Sequence, residues 1–346
     1  MRKTIFLFPV LILAIILLVI LFEYSKKNSV SKITQTVQKS VPSSTLSNLQ
    51  IEAMKSRSYP GSDFITEQTL ASGSNYKKYV ASYQSDGLKI YGLLTVPNAK
   101  KPANGFPAIL FNHGYITPAT YQTNPSVGQY ASYVDAIARR GYVVFKPDYR
   151  GNGNSQGSPE GAYYSPAYTV DDLNALASLK KYSEVNPDKI GAWGHSMGGN
   201  ITLRGLVVDP SDIKVAVIWG GVVGSYTQLE HWHDPSYHPS AYELSLRFRY
   251  RSTLEKQFGT PETDPTFWNS IDPTNFVSDI KAPLQLHVGT ADEEVPNSFS
   301  QSLYDKMKSE GKDVSLFEYP GDNHNISNNF STAMGRSVDF FNKYLK

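Results

Sequence analysis

Residues 190–199 read Ile-Gly-Ala-Trp-Gly-His-Ser-Met-Gly-Gly, an apolar stretch that runs into Gly-x-Ser-x-Gly. A buried strand must therefore turn sharply and enter a helix, which the sequence predicts to begin near Asn200. Glycines two before and two after the serine allow such a turn, because neighbouring backbone can pass without meeting a Cβ. Gly194 and Gly198 occupy those positions, and Gly199 lets the incoming helix lie close to the sheet. A serine on this turn is exposed, and the following helix N-terminus offers N–H groups to a developing oxyanion. The bland alternative is a glycine-rich turn with an incidental serine. The rest of the chain has to decide between them.

With 346 residues the chain has room for one large α/β domain. A net charge of +2 gives no reason to expect a nucleic-acid partner. The absence of cysteine excludes disulfides, zinc thiolate sites, a cysteine nucleophile and an N-terminal lipidated cysteine. Residues 5–22 form an almost unbroken apolar run after Arg2 and Lys3. At ~1.5 Å per residue this run nearly crosses a ~30 Å hydrocarbon core. It reads as an uncleaved membrane anchor at 1–22 with the catalytic domain outside, the alternative being a signal peptide cut near Ser29-Val30-Ser31. Lys26, Lys27 and Lys32 compete with Arg2 and Lys3 in setting its orientation. Residues 23–58 read as a polar tether followed by a short helix over 45–57, and 59–346 as the catalytic domain.

Within that domain, 76–85 and 88–96 read as strands joined by Asp86-Gly87, a strong hairpin signal. Strands follow at 107–112, 142–147, 190–195, 215–220, 284–289 and 314–319, alternating with helices at 131–140, 170–182, 200–208, 299–310 and 331–345. Such alternation calls for a mostly parallel sheet with helices on both faces, edged by the antiparallel hairpin. Residues 222–282 break the pattern and read as an aromatic-rich, cap-like insertion before the strand at 284.

A serine nucleophile needs a base, and the base needs a carboxylate to orient it. Parallel sheets place such groups on loops at the strand C-terminal ends. The loop after 284–289 carries Asp292, Glu293 and Glu294, and the loop after 314–319 carries Asp322 and His324. Asp292 stands closest to its strand end, with Glu293 and Glu294 as rival acids. Asp322 reads as a turn-forming residue and His324 as the base. For the oxyanion the expected donors are the N–H groups of Met197 and of Tyr115 in His113-Gly114-Tyr115, where His113 shapes the loop.

Taken together, Tyr83-Gln84-Ser85-Asp86-Gly87-Leu88, Asn112-His113-Gly114, Asp148-Tyr149-Arg150-Gly151, the run 194–199, Gly289-Thr290-Ala291-Asp292 with Val295-Pro296, and His324 resemble the catalytic domain of the prolyl oligopeptidase family. The resemblance spans roughly residue 76 to the C-terminus and implies an α/β-hydrolase fold, with Ser196 as nucleophile, Asp292 as acid and His324 as base. It implies a serine hydrolase acting through an acyl-enzyme on a short peptide or a small-molecule ester, with no cofactor. Many members carry an N-terminal β-propeller, for which the stretch before Tyr76 is too short. A carboxylesterase or acyltransferase is the rival within enzymes, and a binding module that has lost catalysis is the rival outside them.

His231, His233, Asp234 and His238 match no common metal spacing, so loop packing is expected and no metal. Arg247, Arg249 and Arg251 alternate with Phe248 and Tyr250, as on a solvated face. Asp148 and Arg150 are expected to pin their loop.

Overall fold

The computed structural model describes residues 48–232 and 241–346, with 241–248 as backbone alone. The anchor expected over 1–22 and the tether expected over 23–44 fall outside these residues, as do His233, Asp234, His238 and the side chains of Arg247 and Phe248. Among the described residues no helix is long and apolar enough to cross a membrane.

The described chain opens with helix α1 (Ile51–Lys55) and strands β1 (Ile65–Leu70), β2 (Tyr76–Ser85), β3 (Leu88–Pro97) and β4 (Phe106–Asn112). Helix α2 (Ala131–Ala138), β5 (Val143–Pro147), α3 (Ala167–Lys181), β6 (Val185–His195), α4 (Met197–Val208) and β7 (Ala216–Trp219) follow. Helices α5 (Tyr226–Glu230), α6 (Ala241–Phe258) and α7 (Pro265–Ile271) occupy the insertion. Finally come β8 (Leu284–Gly289), α8 (Asn297–Ser309), β9 (Val314–Tyr319) and α9 (Phe330–Leu345).

All nine strands join one sheet in the order β1-β2-β3-β5-β4-β6-β7-β8-β9. From β5 to β9 every pairing is parallel, while β1, β2 and β3 add an antiparallel edge. The hairpin turns on Asp86 and Gly87, both at positive φ, which matches the right-handed twist of its strands. In β4 the alternation sends Ala108 and Leu110 to one face and Ile109 and Phe111 to the other. The second face packs Phe111, Trp193 and Trp219 against α2 and α9, and the first packs against α3, α4 and α8. Burial on both faces explains why these strands read as continuous apolar runs. This is the mostly parallel, two-faced sheet that the alternation of elements implied, and the α/β-hydrolase fold that the resemblance implied.

Three differences from the sequence reading have simple causes. Strand β1 was not expected, since Thr66, Glu67, Gln68 and Thr69 show no apolar alternation. It is a nearly exposed edge held by pairing with β2. The compact core also begins before residue 59, because Leu49, Ile51 and Met54 are buried. Helix α4 starts at Met197, directly after the turn, and not at Asn200.

The chain leaves β4 toward β5 on one side and returns to β6 on the other. Such a reversal opens a crevice at the C-terminal ends of the two strands. The loop after Asn112 and the turn at Ser196 both lie there.

Candidate active site

Ser196 sits between β6 and α4 at φ 54°, ψ −120°, a backbone conformation that costs energy for any residue with a Cβ. Its own hydrogen bonds hold it there. The Ser196 N–H donates to Trp219 O at 3.1 Å, and Ser196 O accepts from Gly199 N at 2.9 Å and Val222 N at 3.0 Å. From Gly191 to Asn200 every residue is buried except Ser196, which is half-buried. Packing around the turn is tight. A Cβ on Gly198 would lie 2.0 Å from Asn112 O, and one on Gly194 would lie 2.4 Å from Thr202 Oγ1. Those overlaps are the physical reason for the glycines of the motif.

On the loop after β8, Asp292 uses each carboxylate oxygen differently. Oδ1 accepts the N–H groups of Glu294 and Val295, both at 2.9 Å. Oδ2 lies 2.8 Å from His324 Nδ1. A carboxylate can only accept here, so Nδ1 carries the hydrogen and Nε2 of the neutral ring presents its lone pair. Nε2 is buried and has no hydrogen-bond partner within the described protein. Of the three acids considered on this loop, Asp292 is the one that meets Nδ1. Glu294 instead approaches the other nitrogen, with Oε2 at 3.8 Å from Nε2. Asp322 accepts from the backbone of Asn323, Asn328 and Asn329, as a turn-forming residue should.

A relay of hydrogen bonds that the sequence did not reveal ties these loops together. Gly114 N–H donates to Tyr130 Oη at 2.8 Å, and Tyr130 Oη lies 2.7 Å from His195 Nδ1. His195 Nε2 lies 3.1 Å from His324 O, which can only accept. Nε2 is therefore protonated, Nδ1 accepts from the Tyr130 hydroxyl, and the hydroxyl accepts from Gly114. Burial holds the His195 pKa well below its ordinary value, in keeping with a neutral ring. Its ring packs 4.5 Å from that of His324, centroid to centroid. Gly220, at φ 48°, admits His324 from another side, since a Cβ there would lie 3.0 Å from Nδ1. No local sequence signal marks Tyr130 or Gly220, because both act on residues far along the chain.

The loop expected to supply the second oxyanion donor runs beside Ser196. A Cβ on Gly114 would stand 3.0 Å from Ser196 Cβ. Gly114 N–H is committed to Tyr130, and Tyr115 follows it. His113 donates from Nδ1 to Gly114 O at 2.6 Å and is buried, with burial depressing its pKa to about 3. It shapes the loop. Asp148 accepts from Tyr121 Oη at 2.7 Å, and Lys146 Nζ donates to the same hydroxyl. Arg150 forks onto Asp171 at 2.7–3.2 Å, so Asp148 and Arg150 brace the loop after β5. In the insertion, Arg251 pairs with Glu255 and with Glu230, Arg249 contacts Tyr250, and His231 meets Glu262 at 3.0 Å.

Comparison with known proteins gives this geometry a context. The model of the prolyl oligopeptidase family matches residues 129–346. The chain belongs to the prolyl oligopeptidase family. It is 27% identical over 241 residues to the uncharacterized peptidase YtmA of Bacillus subtilis (strain 168), covering 70% of this chain and 83% of that one. It is 26% identical to Homo sapiens dipeptidyl peptidase 8 over 71% of this chain, but spans only 26% of that protein. Among solved structures, the Pyrococcus horikoshii acylaminoacyl peptidase superposes with a TM-score of 0.60 at 20% identity, covering 79% of this chain and 42% of the other. Acetyl xylan esterase from Paenibacillus sp. R4 superposes with a TM-score of 0.61 at 19% identity, covering 88% of this chain and all of the other. Both structural likenesses concern the fold. As a member of the prolyl oligopeptidase family the chain is a serine hydrolase.

Proposed function

We propose that this prolyl oligopeptidase-family enzyme is a serine peptidase of short substrates, with Ser196 as nucleophile, His324 as base and Asp292 as the orienting acid. The observation that carries the reading is the open, buried Nε2 of a His324 ring oriented by Asp292, together with a serine held on a strained turn. His324 Nε2 takes the Ser196 proton as Oγ adds to the scissile carbonyl. The N–H groups of Met197 and Tyr115 hold the oxyanion as charge develops on it. His324 then protonates the leaving group, and the acyl-enzyme forms. Water, deprotonated by the same nitrogen, releases the acid and restores Ser196.

A small acyl ester is the second substrate class. Arg251 is paired with Glu230 and Glu255, so its charge does not favour a substrate carboxylate. Esters need less activation of the leaving group than amides, so ester cleavage accompanies peptidase activity in this mechanism. The decisive experiment labels the enzyme with a fluorophosphonate probe and assays short acyl esters beside amino-acyl amides. Labelling that persists in Ser196→Ala would remove the nucleophile assignment, and turnover of esters alone would make the enzyme an esterase. For the N-terminus, the apolar run over 5–22 supports an uncleaved anchor with the catalytic domain outside the cytoplasm, a secreted form being the alternative. Alkaline carbonate extraction of membranes, with N-terminal sequencing of the mature protein, separates the two.

A further inference from the structure

Glu294 stands at the one nitrogen through which every proton of the proposed reaction passes. Its Oε2 is 3.8 Å from His324 Nε2, and the side chain is about half exposed. Its place is set by the residue that orients the base. Asp292 Oδ1 accepts the Glu294 N–H, so the turn that aims His324 also fixes where the Glu294 side chain begins. Behind burial as the largest cause, Glu294 also adds to the upward push on the pKa of the buried Tyr130 phenol. Among the described residues, no lysine or arginine forms an ion pair with Glu294, whereas Arg150, Arg251 and Lys55 each have a carboxylate partner.

We propose that Glu294 is a specificity-determining residue that favours substrates whose leaving group carries a positive charge, such as amino-alcohol esters. The inference rests on the reading of Ser196 and His324 as nucleophile and base. To protonate the leaving atom, Nε2 must come within about 3 Å of it. A cation two or three bonds beyond that atom then falls within reach of the Glu294 carboxylate. An ion pair in such a half-exposed setting is worth up to about fivefold in rate. Glu294 also stabilises the imidazolium that forms on His324. That effect applies to every substrate alike and cancels in a ratio between two leaving groups.

The test uses two methylphosphonothioates that differ only in the leaving group, thiocholine or the uncharged isostere 3,3-dimethylbutanethiol. Ser196 Oγ bonds to phosphorus as the P–S bond breaks, and the serine proton leaves with the thiol through His324. Labelling rates are divided by the rates of the same probes with hydroxylamine, which removes their intrinsic difference. The wild type should prefer the cationic probe about threefold to fivefold. Glu294→Gln should lose that preference, Glu293→Gln should keep it, and 1 M salt should abolish it, since the screening length there is about 3 Å. Equal preference in wild type and Glu294→Gln, or no preference in either, would overturn the proposal. If neither probe labels the wild type above the Ser196→Ala background, the nucleophile reading fails first and takes this inference with it.

Discussion

Replacing Asp292 by asparagine isolates orientation from packing. The side chain is almost fully enclosed, as is that of His324, and the two groups are 2.8 Å apart. Asparagine keeps an oxygen for the Glu294 and Val295 N–H groups, so the turn survives. What changes is the partner of Nδ1. An amide NH2 in place of Oδ2 donates, and the ring must accept at Nδ1 and move its hydrogen to Nε2. The base then has no lone pair facing the serine. A wrong tautomer of this kind lowers kcat by about 10⁴ in serine hydrolases built on this logic. At about 1.4 kcal/mol per decade that is ~5–6 kcal/mol of lost transition-state stabilisation. Stability should fall by only about 1 kcal/mol, the net value of one buried hydrogen bond exchanged for another. Asp292→Ala adds a different cost, because two N–H groups lose their acceptor at about 1–3 kcal/mol each. The assay is kcat on a p-nitrophenyl ester together with urea unfolding of all three proteins. If Asp292→Asn retained activity within tenfold of wild type, Asp292 would not orient the base, and Glu293 or Glu294 would have to supply the acid.

Other consequences follow from the same geometry. Gly198→Ala forces a Cβ to 2.0 Å from the Asn112 carbonyl oxygen and should cost at least about 3 kcal/mol with loss of fluorophosphonate labelling. Gly335→Ala, in the middle of α9 with nothing near the added methyl, should instead stabilise by up to about 1 kcal/mol, and thermal melts of the pair read both signs. Tyr130→Phe leaves Gly114 N–H and His195 Nδ1 without their partner, so unfolding should reveal a loss of about 1–3 kcal/mol per stranded group and kcat should fall. His287 is buried between Tyr319 Oη and Gln285 Oε1, and burial depresses its pKa from 6.5 to about 3. The unfolded state therefore binds one more proton than the folded state between those values, and the stability this neutral ring contributes is lost as pH falls through the window. Relative to wild type, the deficit of His287→Gln should shrink by up to about 1.4 kcal/mol per pH unit below 6.5. Parallel stability curves at pH 7 and pH 5 would contradict it.

The sequence by itself determined the alternation of strands and helices, the hairpin at Asp86-Gly87, and the order of Ser196, Asp292 and His324 on loops after strand ends. Those features are local, since a turn, a periodicity or a strand end is written in neighbouring residues. Strand β1 was illegible for the same reason, because its pairing comes from β2 and not from its own side chains. The sequence favoured Asp292 by its place at the strand end, and the tertiary structure brings that acid to Nδ1. Asp292, Glu293 and Glu294 differ by single steps along the chain, and only the turn closed by Asp292 Oδ1 sends one carboxylate to Nδ1 and another toward Nε2. The relay through Tyr130 and His195 likewise joins residues as far apart as Gly114 and His324. Long-range hydrogen bonds depend on where the sheet order brings loops together, and β5 and β4 are out of chain order in that sheet. The motif at 194–199 thus marks where the chemistry is placed, and the folded sheet determines which groups face it.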